Sequence, residues 1–173
     1  MAHGEAQPEE PRLVVIGVRN AYRGDDAAGL IAVRRLRNRL GDCVVCREEN
    51  GEGTALMKAW QEAHTVILID ATRSGTPPGT LHRFDVVAQS LPTTLLCSST
   101  HAFGVAEAIE LARALGQLPA RFLVYGIEGK TFAVGCELSA EAEKAVDEAI
   151  WRVQQELERG LYIDLMRFDN QLW

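Results

Sequence analysis

An apolar run, a glycine turn and two adjacent acids constrain the fold of this chain more than any other feature. Residues 13–18 read Leu-Val-Val-Ile-Gly-Val, which predicts a strand buried on both faces, as in a parallel sheet. The turn then leads to Asp25 and Asp26. Apolar residues at helical spacing follow, at Leu30, Val33, Leu36 and Leu40. This strand, turn and helix predict the first half of a βαβ unit, whose turn lies where binding sites form in open α/β sheets.

The two acids have both a structural and a functional explanation. Asp25 is placed to cap the helix by accepting hydrogen bonds from its free N–H groups. Asp26 falls in the first turn, where we expect the positive end of the helix dipole to keep it ionised. Because acids are common in first helical turns, capping alone is an alternative explanation for both residues. A dinucleotide-binding loop is disfavoured, since the G-x-G-x-x-G spacing is missing and two carboxylates would repel a pyrophosphate.

Composition and charge exclude several classes of function. The 173 residues are 47% hydrophobic and 24% charged, which predicts one soluble domain with a substantial core. A net charge of −6 disfavours extended contact with nucleic acid or an anionic membrane. No apolar stretch approaches the roughly 20 residues that span a bilayer, so we expect no membrane insertion. Residues 1–11 are polar and acidic, unlike a signal peptide, and predict a disordered N-terminal tail.

The cysteines predict a reducing compartment. Four cysteines in a chain of this size do not form a disulfide framework, so we expect a cytoplasmic protein. Cys43 and Cys46 match the C-x-x-C spacing of half a zinc site or a redox pair. They fall inside a predicted strand, where side chains three residues apart point to opposite faces, and no second pair follows. We therefore interpret them as buried structural cysteines.

Two further segments bring polar residues towards the same edge of the sheet. Residues 65–71 form the clearest buried strand, and Asp70 near its end is placed either for a site or simply to reach water. Residues 80–86 lack an apolar face and follow too short a connection for a crossover helix, which predicts an antiparallel edge strand. His101 stands just ahead of a helix over 105–115, where a lone histidine is usually a surface residue.

The last third of the chain predicts a strand over 122–127 and a long final helix. Ser139 is positioned to cap this helix, and Gly160 to end it. Residues 160–173 form an apolar tail that we expect to pack back on the domain or to meet a partner. One domain over residues 12–159, with strands and helices alternating, predicts a three-layer α/β/α sandwich.

Five motifs in order resemble the hydrogenase maturation proteases. They are Gly17-Val18-Arg19-Asn20, Arg23 to Gly29, Leu68 to Ala71 with Pro78-Gly79-Thr80, Ser99-Thr100-His101, and Gly126-Ile127-Glu128 with residues 135–139. The resemblance runs over nearly all of the predicted domain. Two departures stand out: Arg19 replaces the second glycine of the usual Gly-x-Gly-Asn, and Gly51-Glu52-Gly53-Thr54 matches the family's second glycine turn only loosely. No role is assigned to Glu52 from sequence.

The resemblance implies an aspartyl endopeptidase of the cytoplasm that removes the C-terminal extension of the [NiFe]-hydrogenase large-subunit precursor after nickel insertion. By the same resemblance, the catalytic and metal-binding residues are Asp26, Asp70 and His101. Their nickel is borne by the substrate and is not a permanent cofactor. The implied fold is phosphorylase/hydrolase-like: a twisted five-stranded mixed sheet of order 2-1-3-5-4 with an antiparallel fourth strand. Two carboxylates and an imidazole suit a borderline ion such as nickel.

Two other functions stay open at this point. The sequence has no H-E-x-x-H zinc motif, and the residues around His101 supply neither a nucleophile elbow nor a recognisable triad. One alternative is a nickel-sensing maturation chaperone or binding module that recognises loaded substrate without cutting it. A second is a small-molecule hydrolase on the same type of sheet. If the chain is a peptidase, Asp26 and Asp70 are the candidates for its general base.

Overall fold

The structure, a computed structural model, describes residues 13–18, 23–41, 44–92 and 103–169, with side chains as far as residue 160. The predicted N-terminal tail, Arg19, Cys43 and His101 lie outside these ranges. Among the helices of the described ranges, none combines the length and apolar character that crossing a membrane requires.

Strands and helices alternate along the described chain. The strands are β1 (Leu13–Val18), β2 (Val45–Glu49), β3 (Thr65–Thr72), β4 (Leu81–Asp85) and β5 (Arg121–Glu128). The helices are α1 (Ala28–Leu40), α2 (Gly53–Trp60), α3 (Val105–Ala114) and α4 (Ala140–Asp169). A short 3-10 turn, Gly24–Ala27, lies between β1 and α1.

The strands form one five-stranded mixed sheet in the order β2-β1-β3-β5-β4, which confirms the predicted topology. β1 pairs in parallel with both β2 and β3, and β3 pairs in parallel with β5. β4 runs antiparallel to β5, as predicted, because residues 73–80 leave no room for a crossover helix. The chain therefore changes direction across the sheet between β1 and β3, whose carboxyl ends form the switch point.

Each face of the sheet is covered by two helices, which confirms the three-layer sandwich. On one face, α2 and α3 pack over alternate strand residues, and Trp60 meets Phe122 edge to face with ring centroids 5.0 Å apart. On the other face, α1 and α4 bury the opposite set of side chains around Ile67 and Tyr125. Because both faces are buried, the central strands are apolar throughout rather than alternating with polar residues.

A glycine lets α1 begin directly over the switch point. A Cβ atom on Gly29 would lie 2.3 Å from the carbonyl oxygen of Ile69 and 2.7 Å from that of Val18. Any side chain there would push the helix away from the ends of β1 and β3. The turn that carries Asp26 is thereby held close to the strand that carries Asp70.

The last helix begins as predicted but does not end as predicted. Ser139 caps it, since its hydroxyl accepts a hydrogen bond from the Ala142 N–H at 3.2 Å. The helix continues through Gly160 to Asp169, so the prediction that Gly160 ends it is wrong. A glycine costs only about 1 kcal/mol relative to alanine inside a helix, and the helix-forming residues that follow include no proline. The predicted packing of the tail stays a prediction.

Candidate functional site

The carboxyl edge of the sheet brings Asp26 and Asp70 into electrostatic contact. Asp26 lies in the 3-10 turn after β1 and is only 6% exposed. Asp70 lies near the end of β3, in register with Gly126 of β5, and is partly buried. Gly29, three residues after Asp26, lies against the carbonyl oxygen of Ile69, so the turn that carries Asp26 meets the end of β3 beside Asp70. The negative charge of Asp26 also raises the pKa of Asp70. Two of the three predicted site residues therefore share one location.

Asp70 has the most perturbed titration in the site. Its pKa is raised from 3.8 to about 7, chiefly by burial and to a smaller extent by the negative charge of Asp26. A hydrogen bond that the Ala71 N–H donates to Asp70 Oδ1 at 2.8 Å opposes this rise. Asp70 can therefore hold or release a proton near neutral pH, which is the property that a general base requires.

Burial also raises the pKa of Asp26, and two arginines oppose that rise. The charges of Arg23 and Arg73 lower its pKa, and the charge of Asp25 raises it. Arg23 Nε lies 3.8 Å from Asp26 Oδ2. Sequence predicts that the helix dipole keeps Asp26 ionised. The structure shows the opposite tendency, since Asp26 precedes α1 in a separate turn and desolvation favours its neutral form.

Asp25 does not cap α1, so that prediction is wrong. The position before α1 is occupied by Ala27, and the side chain of Asp25 turns away to accept hydrogen bonds from a distant loop. The N–H groups of Lys130 and Thr131 donate to its Oδ2 at 2.6 and 3.1 Å. The N–H and hydroxyl of Ser139 donate to Oδ1 and Oδ2 at 2.7 and 2.8 Å. Asp25 thus fastens the site turn to the start of α4.

Glu128 is an organising residue that sequence reasoning did not single out. It is 2% exposed and ends β5, beside the end of β3. It accepts hydrogen bonds from the last residue of β3 and from the loop after it, namely from Thr72 Oγ1 at 2.9 Å, Ser74 N at 2.8 Å, Ser74 Oγ at 2.9 Å and Gly75 N at 2.9 Å. Burial raises the pKa of Glu128, but these bonds outweigh it and leave the pKa below its usual value. The sequence signal that could have identified Glu128 is an acid directly after the apolar residues 122–127.

Glu52 also has a structural role that sequence did not assign. It caps α2, since its carboxylate accepts hydrogen bonds from the N–H groups of Thr54 and Ala55, both at 2.9 Å. The following residue, Gly53, donates its N–H to the carbonyl oxygen of Phe103 at 3.0 Å. The loosely matched glycine turn therefore anchors the chain two residues after His101. Glutamate is an uncommon capping residue, which made the sequence signal weak.

The third predicted site residue, His101, lies outside the described residues, so its convergence with the two acids stays a prediction. Within the described ranges, no three His, Cys, Asp or Glu side chains are grouped to hold a metal ion. Cys46 of β2 is partly buried, and burial raises the pKa of its thiol, which disfavours the thiolate that binds metal. Its predicted structural role agrees with this position.

Comparison with known proteins identifies the family. A sequence profile described as HycI, hydrogenase maturation protease, matches residues 50–156. The hydrogenase expression/formation protein HupD of Thiocapsa roseopersicina is 28% identical over 123 residues, which cover 69% of this chain and 55% of that protein. HoxM of Cupriavidus necator is 27% identical over 143 residues, covering 80% and 70% of the two chains. Several of these relatives are considerably longer, and this chain spans little more than half of their length.

Solved structures share the fold. The [NiFe] hydrogenase maturation protease HybD from Thermococcus kodakarensis superposes with a TM-score of 0.66 at 26% identity, covering 83% of this chain and 97% of that one. The hydrogenase maturating endopeptidase HybD from Escherichia coli superposes with a TM-score of 0.71 at 23% identity, covering 86% of this chain and 93% of that one. This likeness supports the fold alone. With the profile matching more than half of its length, the chain belongs to the hydrogenase maturation protease family.

Proposed function

We propose that this protein is an endopeptidase that removes the C-terminal extension of a [NiFe]-hydrogenase large-subunit precursor once nickel has been inserted. Membership of the maturation protease family supports the reaction class. The observation that carries the proposal is the close approach of Gly29 to the Ile69 carbonyl oxygen, which sets the turn of Asp26 against the end of β3 beside Asp70. The effect of the Asp26 charge on the pKa of Asp70 supports the same pairing. Two adjacent carboxylates at an open sheet edge can engage a metal centre that arrives with the substrate.

The proposed division of labour follows from the environments of the residues. Asp26, Asp70 and His101 engage the substrate-borne nickel, which positions the cleavage segment. Of the two acids, Asp70 is the better candidate for the general base, because its pKa of about 7 lets it accept a proton from water near neutral pH. Asp26 keeps two arginine charges beside it and is the better candidate for a lasting anionic ligand. We place this reaction in the cytoplasm on the basis of the cysteine usage.

The test compares nickel-loaded with nickel-free hydrogenase precursor as substrate for the purified full chain. Products are weighed by mass spectrometry. Release of a C-terminal peptide only from the loaded precursor supports the proposal. Stable binding of the loaded precursor without cleavage would instead identify a chaperone, and the proposed peptidase activity would be wrong.

A second arm locates the metal. If enzyme preloaded with nickel cuts the nickel-free precursor efficiently, the protein is an ordinary metallopeptidase and recognition of substrate-borne metal is wrong. Asp26→Asn serves as the negative control, since it removes one proposed ligand charge at nearly constant shape. Asp147→Asn, an exposed substitution on α4, serves as the matched positive control and should cleave as the unmodified protein does.

A further inference from the structure

Two arginines lie near Asp26, and the proposed chemistry assigns no role to either. Arg23 directly precedes the 3-10 turn, and its Nε is buried 3.8 Å from Asp26 Oδ2 with no hydrogen-bond partner in the described part of the chain. Arg73 directly follows β3, three residues after Asp70, and is exposed. The positive charges of both arginines act on Asp26.

Arg73 is held in place from two sides, although it is exposed. Its guanidinium carbon lies 4.2 Å from the ring centroid of Phe132, a cation–π contact. The next two residues, Ser74 and Gly75, donate their N–H groups to the buried Glu128. A Cβ atom on Gly129 would lie 2.4 Å from Phe132 Cζ and 3.0 Å from Asp25 Cβ, so the ring that Arg73 contacts lies close to the turn of Asp25 and Asp26. The loop therefore holds a permanent positive charge near Asp26 rather than leaving it free in solvent.

The positive charges of Arg23 and Arg73 therefore offset part of the negative charge at the site. A bare divalent cation that enters between Asp26 and Asp70 meets repulsion from two guanidinium groups. A metal centre that already carries anionic ligands, such as thiolates, brings negative charge that the same groups attract. We propose that Arg23 and Arg73 are specificity-determining residues that make the site disfavour free divalent cations and favour a metal bound by anionic protein ligands. This inference rests on the proposed function.

The test measures binding of free Ni²⁺ to the full-length chain by equilibrium dialysis at low ionic strength. Arg73→Gln should bind Ni²⁺ about fivefold more tightly than the unmodified protein, because one nearby positive charge is removed. Arg73→Lys keeps the charge and should bind as weakly as the unmodified protein. Arg152→Gln changes net charge equally on α4, where Arg152 pairs with Glu148, and should have no effect.

Further measurements keep the result decisive. Arg23→Gln should shift affinity in the same direction, and the double variant should bind most tightly of all. The increase in Ni²⁺ affinity of the variants should become smaller as salt is added, since screening weakens the repulsion between the arginines and Ni²⁺. Circular dichroism tests whether each variant is folded. If Arg73→Gln does not fold, the Ni²⁺ affinity of Arg23→Gln alone tests the proposal.

The proposal is overturned if neither arginine variant binds Ni²⁺ more tightly, if the double variant binds none at millimolar concentration, or if Arg152→Gln tightens binding as much. This outcome is distinct from failure of the proposed function. Cleavage restricted to nickel-loaded precursor by the unmodified protein would leave the peptidase proposal standing while the arginine proposal falls.

Discussion

The carboxylate of Asp25 accepts two hydrogen bonds from Ser139, one from the backbone N–H at 2.7 Å and one from the hydroxyl at 2.8 Å. The same hydroxyl accepts the capping hydrogen bond of α4, from the Ala142 N–H. One buried acid thus joins the turn after β1 to the first turn of the last helix. Because Asp26 is its neighbour in sequence, the position of the candidate site depends on this junction.

Loss of the Asp25 carboxylate should destabilise the fold. Asp25→Ala leaves four donors without their acceptor in a site with no exposure to solvent, so we expect a loss of about 2–4 kcal/mol in the free energy of unfolding. Urea denaturation at pH 7 measures it. The control, Asp147→Asn on the exposed face of α4, should change stability by no more than about 0.5 kcal/mol.

Acid should reduce this difference in stability between Asp25→Ala and the unmodified protein. Burial raises the pKa of Asp25, but the hydrogen bonds from Ser139, Lys130 and Thr131 outweigh it and hold the pKa below its ordinary value of 3.8. A lowered native pKa stabilises the fold above pH 3.8, and that contribution is lost as the pH falls through the native pKa. A gap between Asp25→Ala and the unmodified protein that persists undiminished at the lowest pH where both fold would contradict this assignment.

The sequence predicted the sheet better than the details of the site, for a physical reason. Apolar runs such as those of β1 and β3 must be buried on both faces of a sheet, and the short connection before β4 makes that strand antiparallel, so both features follow from local pattern and connection length. The strand order was implied by the resemblance to the maturation proteases and not by local pattern. The hydrogen-bond donors to Asp25 lie 105 to 114 residues away in sequence, and no local pattern predicts them. For the same reason Asp25 was predicted to cap α1, and Glu128 was recognised only as part of a motif and given no structural role.

The charge of Asp70 should lower stability at neutral pH. Its native pKa of about 7 lies above the ordinary 3.8, so stability falls as the pH rises between these values. Asp70→Asn cannot ionise and should escape this loss. Because Asp70 retains some exposure, we expect the variant to be about 1–2 kcal/mol more stable than the unmodified protein at pH 8. At pH 4 the two should unfold at nearly the same urea concentration.

The comparison between the two pH values is the decisive one. A variant that is equally stabilised at pH 4 and pH 8 gains from packing and not from charge, and would show that Asp70 titrates normally. Asp70→Asn should also fail to process nickel-loaded precursor, so that stability and activity move in opposite directions, as at many functional sites.

The cysteine pair should be dispensable. Cys46 is partly buried in β2 with a raised thiol pKa, so Cys46→Val should cost no more than about 1.5 kcal/mol. Replacing Cys43 by alanine as well should leave processing of the precursor intact in the mass-spectrometric assay. Lost processing in a variant that keeps its thermal midpoint would instead reveal a metal or redox role for the pair.

His101 should matter for activity and little for folding. We predict that His101→Ala abolishes processing of nickel-loaded precursor and leaves the urea midpoint nearly unchanged, because the sequence predicts a surface histidine just ahead of α3, which would contribute little to the core. His101→Gln, which keeps a polar side chain of similar reach, should not restore activity if the imidazole engages the metal. Normal cleavage by either variant would remove His101 from the site, and unfolding of His101→Ala would make it structural.

A last prediction concerns how α2 positions the segment that follows His101. Gly53 begins α2 and donates its N–H to the Phe103 carbonyl oxygen at 3.0 Å, and a Cβ atom here would lie 2.3 Å from Phe103 Cδ1. Gly53→Ala must therefore displace the Phe103 ring, which packs against the core beneath α2 and α3. Two residues of chain reach no further than about 7 Å, so His101 should move with it.

The expected result is a variant that folds but processes poorly. We expect Gly53→Ala to lose about 1–2 kcal/mol of stability and to lower the rate of precursor cleavage by tenfold or more, since small misplacements of catalytic groups are costly. Gly160→Ala, whose new Cβ would make an ordinary contact 3.5 Å from Arg121 Nη1, controls for the change in residue type. A further substitution, Phe103→Leu in the Gly53→Ala background, relieves the clash and should restore part of the rate. Full activity in Gly53→Ala would show that the position of Phe103 does not govern His101.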